Sequence, residues 1–584
     1  MNWLLLFHYF GLFSVAIRHP ISIISLAFVL QALLQTTSWA QTNPLDPVVE
    51  LRRQQERELQ ERKRLEQTPQ TKPDAPIAAD TERLPNGETP CHRIEKILIE
   101  GGDGRNWGWL LDSLDGIKGD DSPFNRCLGV GSIGIVLKRG QNALVAKGLI
   151  TSRLLAQQQD LKTGQLTLTL VLGRIGAIRF ADPKDSHASL VNALPASVGD
   201  VLNLRDIEQA LENFKRVPTA EADIKIEPST KPGESDLVIE WKQTKSVRYS
   251  ASLDDSGSDT TGKRQASATV SFDNPLGLSD LFYITLNHDA GGGKGLSPKG
   301  TQGTTLHYSV PMGYWNLSTT ASNTSYKQTV EGANENYLYS GKSTNAEVKL
   351  SRIVYRDATN KTTLATRLYR RGSQNFIEDT EVEVQRRITS GIELSAAHRV
   401  FWGNSTIEGQ LTYKQGLKLF GALPAPEEEF DEGTSQFKII SVDASISTPF
   451  KVGDQKFKFD SSIKVQSNKT PLVAQDRFSI GSRYSVRGFD GKASLAAEKG
   501  VLLQNTLSWT IPNVGAEAYL GVDYGRVSGI STENLVGTTL MGAVLGIRGS
   551  YEGLSYDIFA GRPVRKPGEL EVGKVFGFNL NYGF

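Results

Sequence analysis

Sulfur is scarce in this chain: 584 residues hold three Met and two Cys. There is no C-x-x-C, and the seven His show no metal-ligand spacing, so no metal site is assigned. An excess of charge is also missing. Lys plus Arg (65) against Asp plus Glu (64) leaves +1, which supplies no global field for nucleic acid. Mean hydropathy is negative and the apolar share is 39%, which excludes a polytopic helical membrane protein. A transmembrane barrel stays open, because its strands are apolar on one side only. Neither G-x-S-x-G nor H-E-x-x-H occurs, so no catalytic residue and no cofactor is assigned. Gly291-Gly292-Gly293-Lys294-Gly295 looks phosphate-friendly but lacks Walker spacing, and reads as a surface loop between strands. Glycine, by contrast, is plentiful at 56 residues.

The N-terminus reads as a targeting segment. Arg18 and His19 precede the apolar run Ile21 to Leu34, and Ser38-Trp39-Ala40 places small residues at the −3 and −1 positions of a cleavage site. Residues 1–40 are expected to be a signal peptide, with mature protein from Gln41. An uncleaved anchor helix is the alternative, and the apolar run is short for one. The stretch before Arg18 is long and apolar for an n-region, so either the start lies downstream or the signal is of an extended type. Export to an oxidising compartment would allow Cys91 and Cys127 to pair; two separate buried thiols are the alternative.

Within residues 41–67, Asp46 to Gln67 reads as one charged helix, free of Gly and with few apolar positions. So polar a helix cannot join a core: it is either solvated or lies inside a wet channel. Residues 68–90 read as a flexible linker. A β-α-α-β-β order then occurs twice. The first unit, 91–173, has strand Ile94 to Glu100, helices Trp107 to Ile117 and Ser132 to Lys147, and strands Ile150 to Leu155 and Gln165 to Leu172. The second, 174–245, has strand Ile175 to Phe180 and a helix Ser186 to Leu194. A helix Leu204 to Lys215 capped by Asn203 follows, then strands Ala222 to Glu227 and Ser235 to Trp241. From 246 to 584 about sixteen alternating runs follow, an even number suited to an antiparallel barrel. Many are long enough for tilted spans of about 9–11 residues. The last run puts Phe578, Leu580, Tyr582 and Phe584 on a lipid face, with Asn579 and Asn581 toward a lumen.

The repeated unit resembles the POTRA domain, a periplasmic module of outer-membrane barrels. The second copy carries the resemblance in Leu202 to Ala210 and Lys231 to Ser235, the first in Gly148 to Arg153 and Gly164 to Leu168. Ser485-Val486-Arg487-Gly488-Phe489, in a long loop at about 467–499, adds to it. Taken together, the chain resembles the two-partner secretion outer-membrane transporters. That resemblance implies a transmembrane β-barrel of about 16 antiparallel strands, preceded by two periplasmic POTRA domains and an N-terminal plug helix.

The resemblance also implies roles. The loop folds into the lumen, where Arg487 of Val486-Arg487-Gly488-Phe489 meets Asp523, within Gly521 to Gly525. Otherwise Arg487 is a solvated cation and Asp523 merely lines a pore. Ser482 departs from the family, which usually has glycine there. The implied partners are a large secreted exoprotein received by the POTRA pair, outer-membrane lipid, and the barrel-assembly machinery reading Phe578, Leu580, Tyr582 and Phe584. The implied function is translocation of the exoprotein from periplasm to surface of a Gram-negative cell. A barrel-insertion factor is the alternative, and a solute porin a third reading.

Overall fold

The computed structural model describes residues 47–66, 82–116, 118–182, 187–492, 494–570, 572–573 and 575–584. The expected signal segment 1–40 lies outside the described residues.

Helix α1 spans Pro47–Leu65. Glu50 sits in its first turn, and Arg62, Lys63 and Arg64 in its last, as the helix dipole favours. Pairs one turn apart, such as Arg53 with Glu50 (3.1 Å) and Arg62 Nε with Glu66 (2.8 Å), satisfy its charges locally.

The first α+β unit packs α2 (Gly108–Asp112) and α3 (Val130–Ala146) on a three-stranded sheet. In that sheet Lys96–Gly101 runs parallel to Gln165–Val171, and Arg153–Leu155 antiparallel to it. Leu166, Leu168 and Leu170 point into the core while Thr167 and Thr169 do not, the period-two pattern of a half-buried strand. The expected helix Trp107 to Ile117 is shorter, ending in a 3-10 turn at Ser113–Asp115 before Gly116, whose φ is +80°. A short strand pair, His92–Ile94 with Arg126–Leu128, lies beside the Cys91–Cys127 disulfide.

The end of the expected linker is ordered, which corrects the flexible reading of 68–90. Leu84 is buried. The Glu88 carboxylate accepts backbone N–H bonds from Gly129 (2.9 Å), Gly131 (2.9 Å) and Ser132 (3.1 Å) at the start of α3. A carboxylate satisfies orphan donors at a helix start and meets the positive end of its dipole.

The second unit repeats the plan with α4 (Leu190–Ala193) and α5 (Leu204–Phe214). Its sheet is Arg174–Phe180 parallel to Glu234–Gln243, with Ala220–Pro228 antiparallel. Asn203 Oδ1 accepts the Arg205 N–H at 2.9 Å and caps α5. Helix α4 is one turn rather than the expected Ser186 to Leu194. Pro195 forces Leu194 into an extended conformation (φ −93°, ψ 126°), which stops the helix.

Among the described residues, sixteen antiparallel strands from Val247–Asp254 to Val575–Gly583 close a barrel. The last strand pairs with the first, from Asn579 opposite Asp254 to Gly583 opposite Ser250. Several strands exceed the expected span; Asn336–Arg356 has 21 residues and projects past any hydrocarbon layer. Outward positions carry exposed apolar side chains such as Val348, Leu368, Leu411, Leu520 and Leu545, a surface that only lipid suits.

One rim of the barrel bears the second α+β unit. Asn192 Nδ2 donates to the carbonyls of Leu278 (2.6 Å) and Pro311 (3.0 Å), and Asn213 Nδ2 to Gly313 (2.9 Å). Arg356 reaches Glu212 (3.1 Å) on α5, and Lys361 reaches the same carboxylate (2.6 Å).

Candidate functional site

The segment between strands Gln455–Asn468 and Lys499–Ile511 turns into the barrel. Within it Phe478–Ile480 pairs with Leu495–Ala497 as a small hairpin. Phe478, Ile480, Val486, Phe489 and Leu495 form an apolar core with Leu502, Val527 and Leu540 of the wall. The segment is therefore a packed insert rather than a mobile loop.

Arg487 is fastened at its centre. Its Nε donates to Asp523 Oδ2 (2.7 Å), one terminal nitrogen to Oδ1 (2.6 Å), and its backbone N–H to Oδ2 (2.9 Å). The same terminal nitrogen also reaches the Asn505 carbonyl at 3.1 Å. Asp523 is 1% exposed. A two-pronged guanidinium–carboxylate contact fixes direction as well as position. Ser485 stiffens the preceding turn, its Oγ accepting the N–H of Gly481 (3.0 Å) and Ser482 (2.9 Å).

The wall beneath this motif is floored with glycine. A side chain at Gly542 would collide with the Arg487 carbonyl, and one at Gly525 would meet Val486 at 2.7 Å. At Gly521 it would meet the Arg487 guanidinium at 2.7 Å, and at Gly561 the Gly488 backbone at 2.9 Å. Gly488 itself has φ +103° and faces the Arg562 carbonyl, so both sides of the contact lack Cβ atoms. This seat is absent from the sequence reading. Its signal is glycine at lumen-facing positions of neighbouring strands, visible only once their register is known.

Helix α1 lies in the lumen between wall and insert. On the wall side, Arg57 bonds Gln265 and Arg62 bonds Glu347, while Glu58 accepts from Ser322 Oγ (3.2 Å). On the insert side, Arg52 donates to the Ala474 carbonyl and Arg53 to the Gly491 carbonyl, each at 3.0 Å. Ser482 Oγ faces Glu56 at 3.4 Å, so the residue that departs from the family pattern touches the helix. A cavity of about 230 Å³ remains beside α1, its lining including Arg57, Arg62, Gln265, Thr285, Asn579 and Asn581.

The remaining candidate residues lie apart from this centre. Cys91 and Cys127 are bonded, with Cα atoms 5.4 Å apart. Phe578 and Leu580 are half-buried on the last strand, and Tyr582 and Phe584 are exposed. Phe584 exchanges backbone hydrogen bonds with Tyr249 (3.0 and 3.2 Å), and their rings stack at 5.7 Å across the seam.

A closed sixteen-strand barrel preceded by two α+β units, the second of them on its rim, with a folded insert and a polar helix in its lumen, defines an outer-membrane transporter. The chain belongs to the haemolysin secretion/activation protein family ShlB/FhaC/HecB, whose model matches residues 233–549. POTRA models match residues 174–228 and, in a ShlB-type form, 121–173. It is similar to the outer membrane transporter CdiB-2 of Burkholderia pseudomallei, at 36% identity over 91% of this chain and 93% of that one. It is also similar to the hemolysin transporter protein ShlB of Serratia marcescens, at 26% identity over 71% and 72%. The solved structure of CdiB from Acinetobacter baumannii matches with a TM-score of 0.80 and 28% identity, covering 93% of this chain and all of that one. The family is one of transporters rather than enzymes, and the POTRA pair faces the periplasm.

Proposed function

We propose that this chain is the pore of a two-partner system, carrying one large unfolded exoprotein from the periplasm through its lumen to the cell surface. The POTRA pair receives the partner; the free edge of strand Ala220–Pro228 can pair with an extended chain through backbone hydrogen bonds. The Arg487–Asp523 clasp keeps the insert on its glycine seat, and α1 fills the lumen at rest. Surface folding of the cargo supplies the drive, with no catalytic step. The observation that carries this reading is α1 itself: a mostly polar 19-residue helix whose side chains bond both the wall and the insert. A structural helix would be joined through an apolar face; apart from Leu65 at its end, this one is held by contacts that water can replace.

The same reading includes removal of residues 1–40 on export, surrounding outer-membrane lipid, and recognition of Phe578, Leu580, Tyr582 and Phe584 by the barrel-assembly machinery. The test is mass spectrometry of culture medium and cell surface from cells with and without the chain. Loss of one very large secreted protein is expected. A joint fall of many outer-membrane barrels would replace the reading with that of an insertion factor.

A further inference from the structure

Four exposed cations stand in a row on the outer surface of the barrel, on four neighbouring strands. Lys438 and Lys469 lie directly opposite one another, the Lys469 N–H donating to the Lys438 carbonyl at 2.8 Å. Lys499 is the next residue beyond Gly500, which pairs with Gln466, so it sits one diagonal step from Lys469. Arg526 pairs with Val501, one diagonal step from Lys499. Their neighbours Ile439, Gly500 and Val527 are buried inward, which places all four cations outward. No described carboxylate comes within ion-pairing distance of any of them. Directly below on the same strands lie the lipid-facing Val442, Ile463, Val522 and Leu520.

Like charges set opposite each other on a sheet repel, so an anion placed on the row relieves that repulsion. The apolar surface beneath selects an anion that carries acyl chains. The row stands at the ends of strands that run into the insert and the long loops, on the rim away from the POTRA units, and so at the outer leaflet. Its ends lie three strand spacings across and four residues along, about 20 Å apart between backbones, and the long Lys and Arg side chains reach inward from both ends. A single phosphodiester meets one end of such a row; two phosphates held apart on a disaccharide meet both. We infer that Lys438, Lys469, Lys499 and Arg526 form a seat for a doubly phosphorylated, acylated disaccharide glycolipid of the outer leaflet. The inference rests on the periplasmic placement of the POTRA pair, and not on which protein is exported.

The experiment is native mass spectrometry of the purified full chain in detergent. Three probes are added separately: a bis-phosphorylated hexa-acyl disaccharide (lipid A), its dephosphorylated form, and phosphatidylglycerol. The wild type is expected to retain lipid A at least tenfold better than either other lipid. The K438Q/K469Q/K499Q/R526Q chain, its barrel shown closed by heat-modifiable gel mobility, is expected to lose that preference. The charge-keeping K438R/K469R/K499R/R526K chain is expected to keep it. Equal retention of lipid A by the glutamine variant overturns the seat. Equal retention of phosphatidylglycerol by the wild type overturns the choice of glycolipid, and equal retention of the dephosphorylated form overturns the role of phosphate. If the glutamine variant does not close, the wild-type comparison of the phosphorylated and dephosphorylated forms decides alone. A failed secretion test would leave each of these results unchanged.

Discussion

Arg62 of the lumen helix and Glu347 of the barrel wall form an ion pair, and Glu347 also accepts a hydrogen bond from Arg367 at 2.7 Å. The Glu347 side chain is 5% exposed, so the helix arginine covers a carboxylate that the wall would otherwise turn to the channel. Reversing the charge with Arg62→Glu sets two carboxylates together and weakens the hold on α1. A loss of about 1.4 kcal/mol corresponds to a tenfold shift toward the unplugged state. Single-channel recording in planar bilayers is expected to show roughly that rise in open probability. Unchanged conductance would mean that this contact does not retain the helix.

The Arg487–Asp523 clasp predicts a non-additive pair of substitutions. Removing one partner of a buried ion pair strands the other charge, at about 3–5 kcal/mol, less where water reaches it. Arg487→Ala alone leaves Asp523 buried and uncompensated, so secretion is expected to fall at least tenfold. The double variant Arg487→Ala with Asp523→Ala is expected to keep a more stable insert than the single one, as judged by protease resistance of residues 467–499. Additive effects in the cycle would show that the two side chains act separately.

The glycine seat makes a sharper claim. Gly542→Val adds bulk where the Arg487 carbonyl lies, without touching the outward surface. The strand pairing of Thr539–Tyr551 is expected to persist, because valine suits a strand. The insert is expected to lift. A cysteine placed at Ser494 should then react faster with a thiol reagent, while the barrel stays heat-modifiable. Gly568→Val, where a Cβ would meet nothing within reach, is the control expected to change neither.

POTRA 1 should carry a pH signature. Burial alone would raise the Asp121 carboxyl, but hydrogen bonds from the Leu84 N–H (2.8 Å), Arg139 and Arg126 (2.7 Å) outweigh it and hold the group at about 2. An unfolded aspartate titrates near 3.9. The folded value lies below the unfolded one, so the stabilisation is complete above about pH 4 and is lost as the pH falls toward 2. Calorimetry of the full chain should show wild type and Asp121→Asn differing most at pH 5 and converging as the pH falls to 2 and below. A difference constant over that range would contradict the assignment.

The sixteen strands were legible because alternation has a period of two and needs no knowledge of partners. Each expected run overlaps one barrel strand, though the run Glu381 to His398 begins on a 3-10 turn, Glu383–Gln385, ahead of the strand Arg387–Trp402. Register was not legible, and so neither was the seat: Gly521, Gly525, Gly542 and Gly561 are scattered in sequence and meet only through pairing. The polar character of α1 suggested a wet surrounding, yet nothing in Arg52 or Arg53 names Ala474 or Gly491 as acceptors, since backbone carbonyls leave no mark in a sequence. Glu88 was hidden for a related reason. It serves the start of a helix 41 residues further on, and its neighbours read as linker. Helix α4 was overextended because the apolar pattern continued up to Pro195 while the backbone could not.

Leu65, the last residue of the lumen helix, is 6% exposed and belongs to one buried apolar cluster with Ile207, Phe214 and Trp241 of POTRA 2 and Tyr283 of the wall. Cork and receptor thus share one apolar knot. Any coupling through this cluster is reciprocal: departure of the helix weakens the docking of POTRA 2 by as much as undocking of POTRA 2 weakens the hold on the helix. On the proposed function, arrival of cargo below and clearance of the channel above become linked steps rather than separate ones.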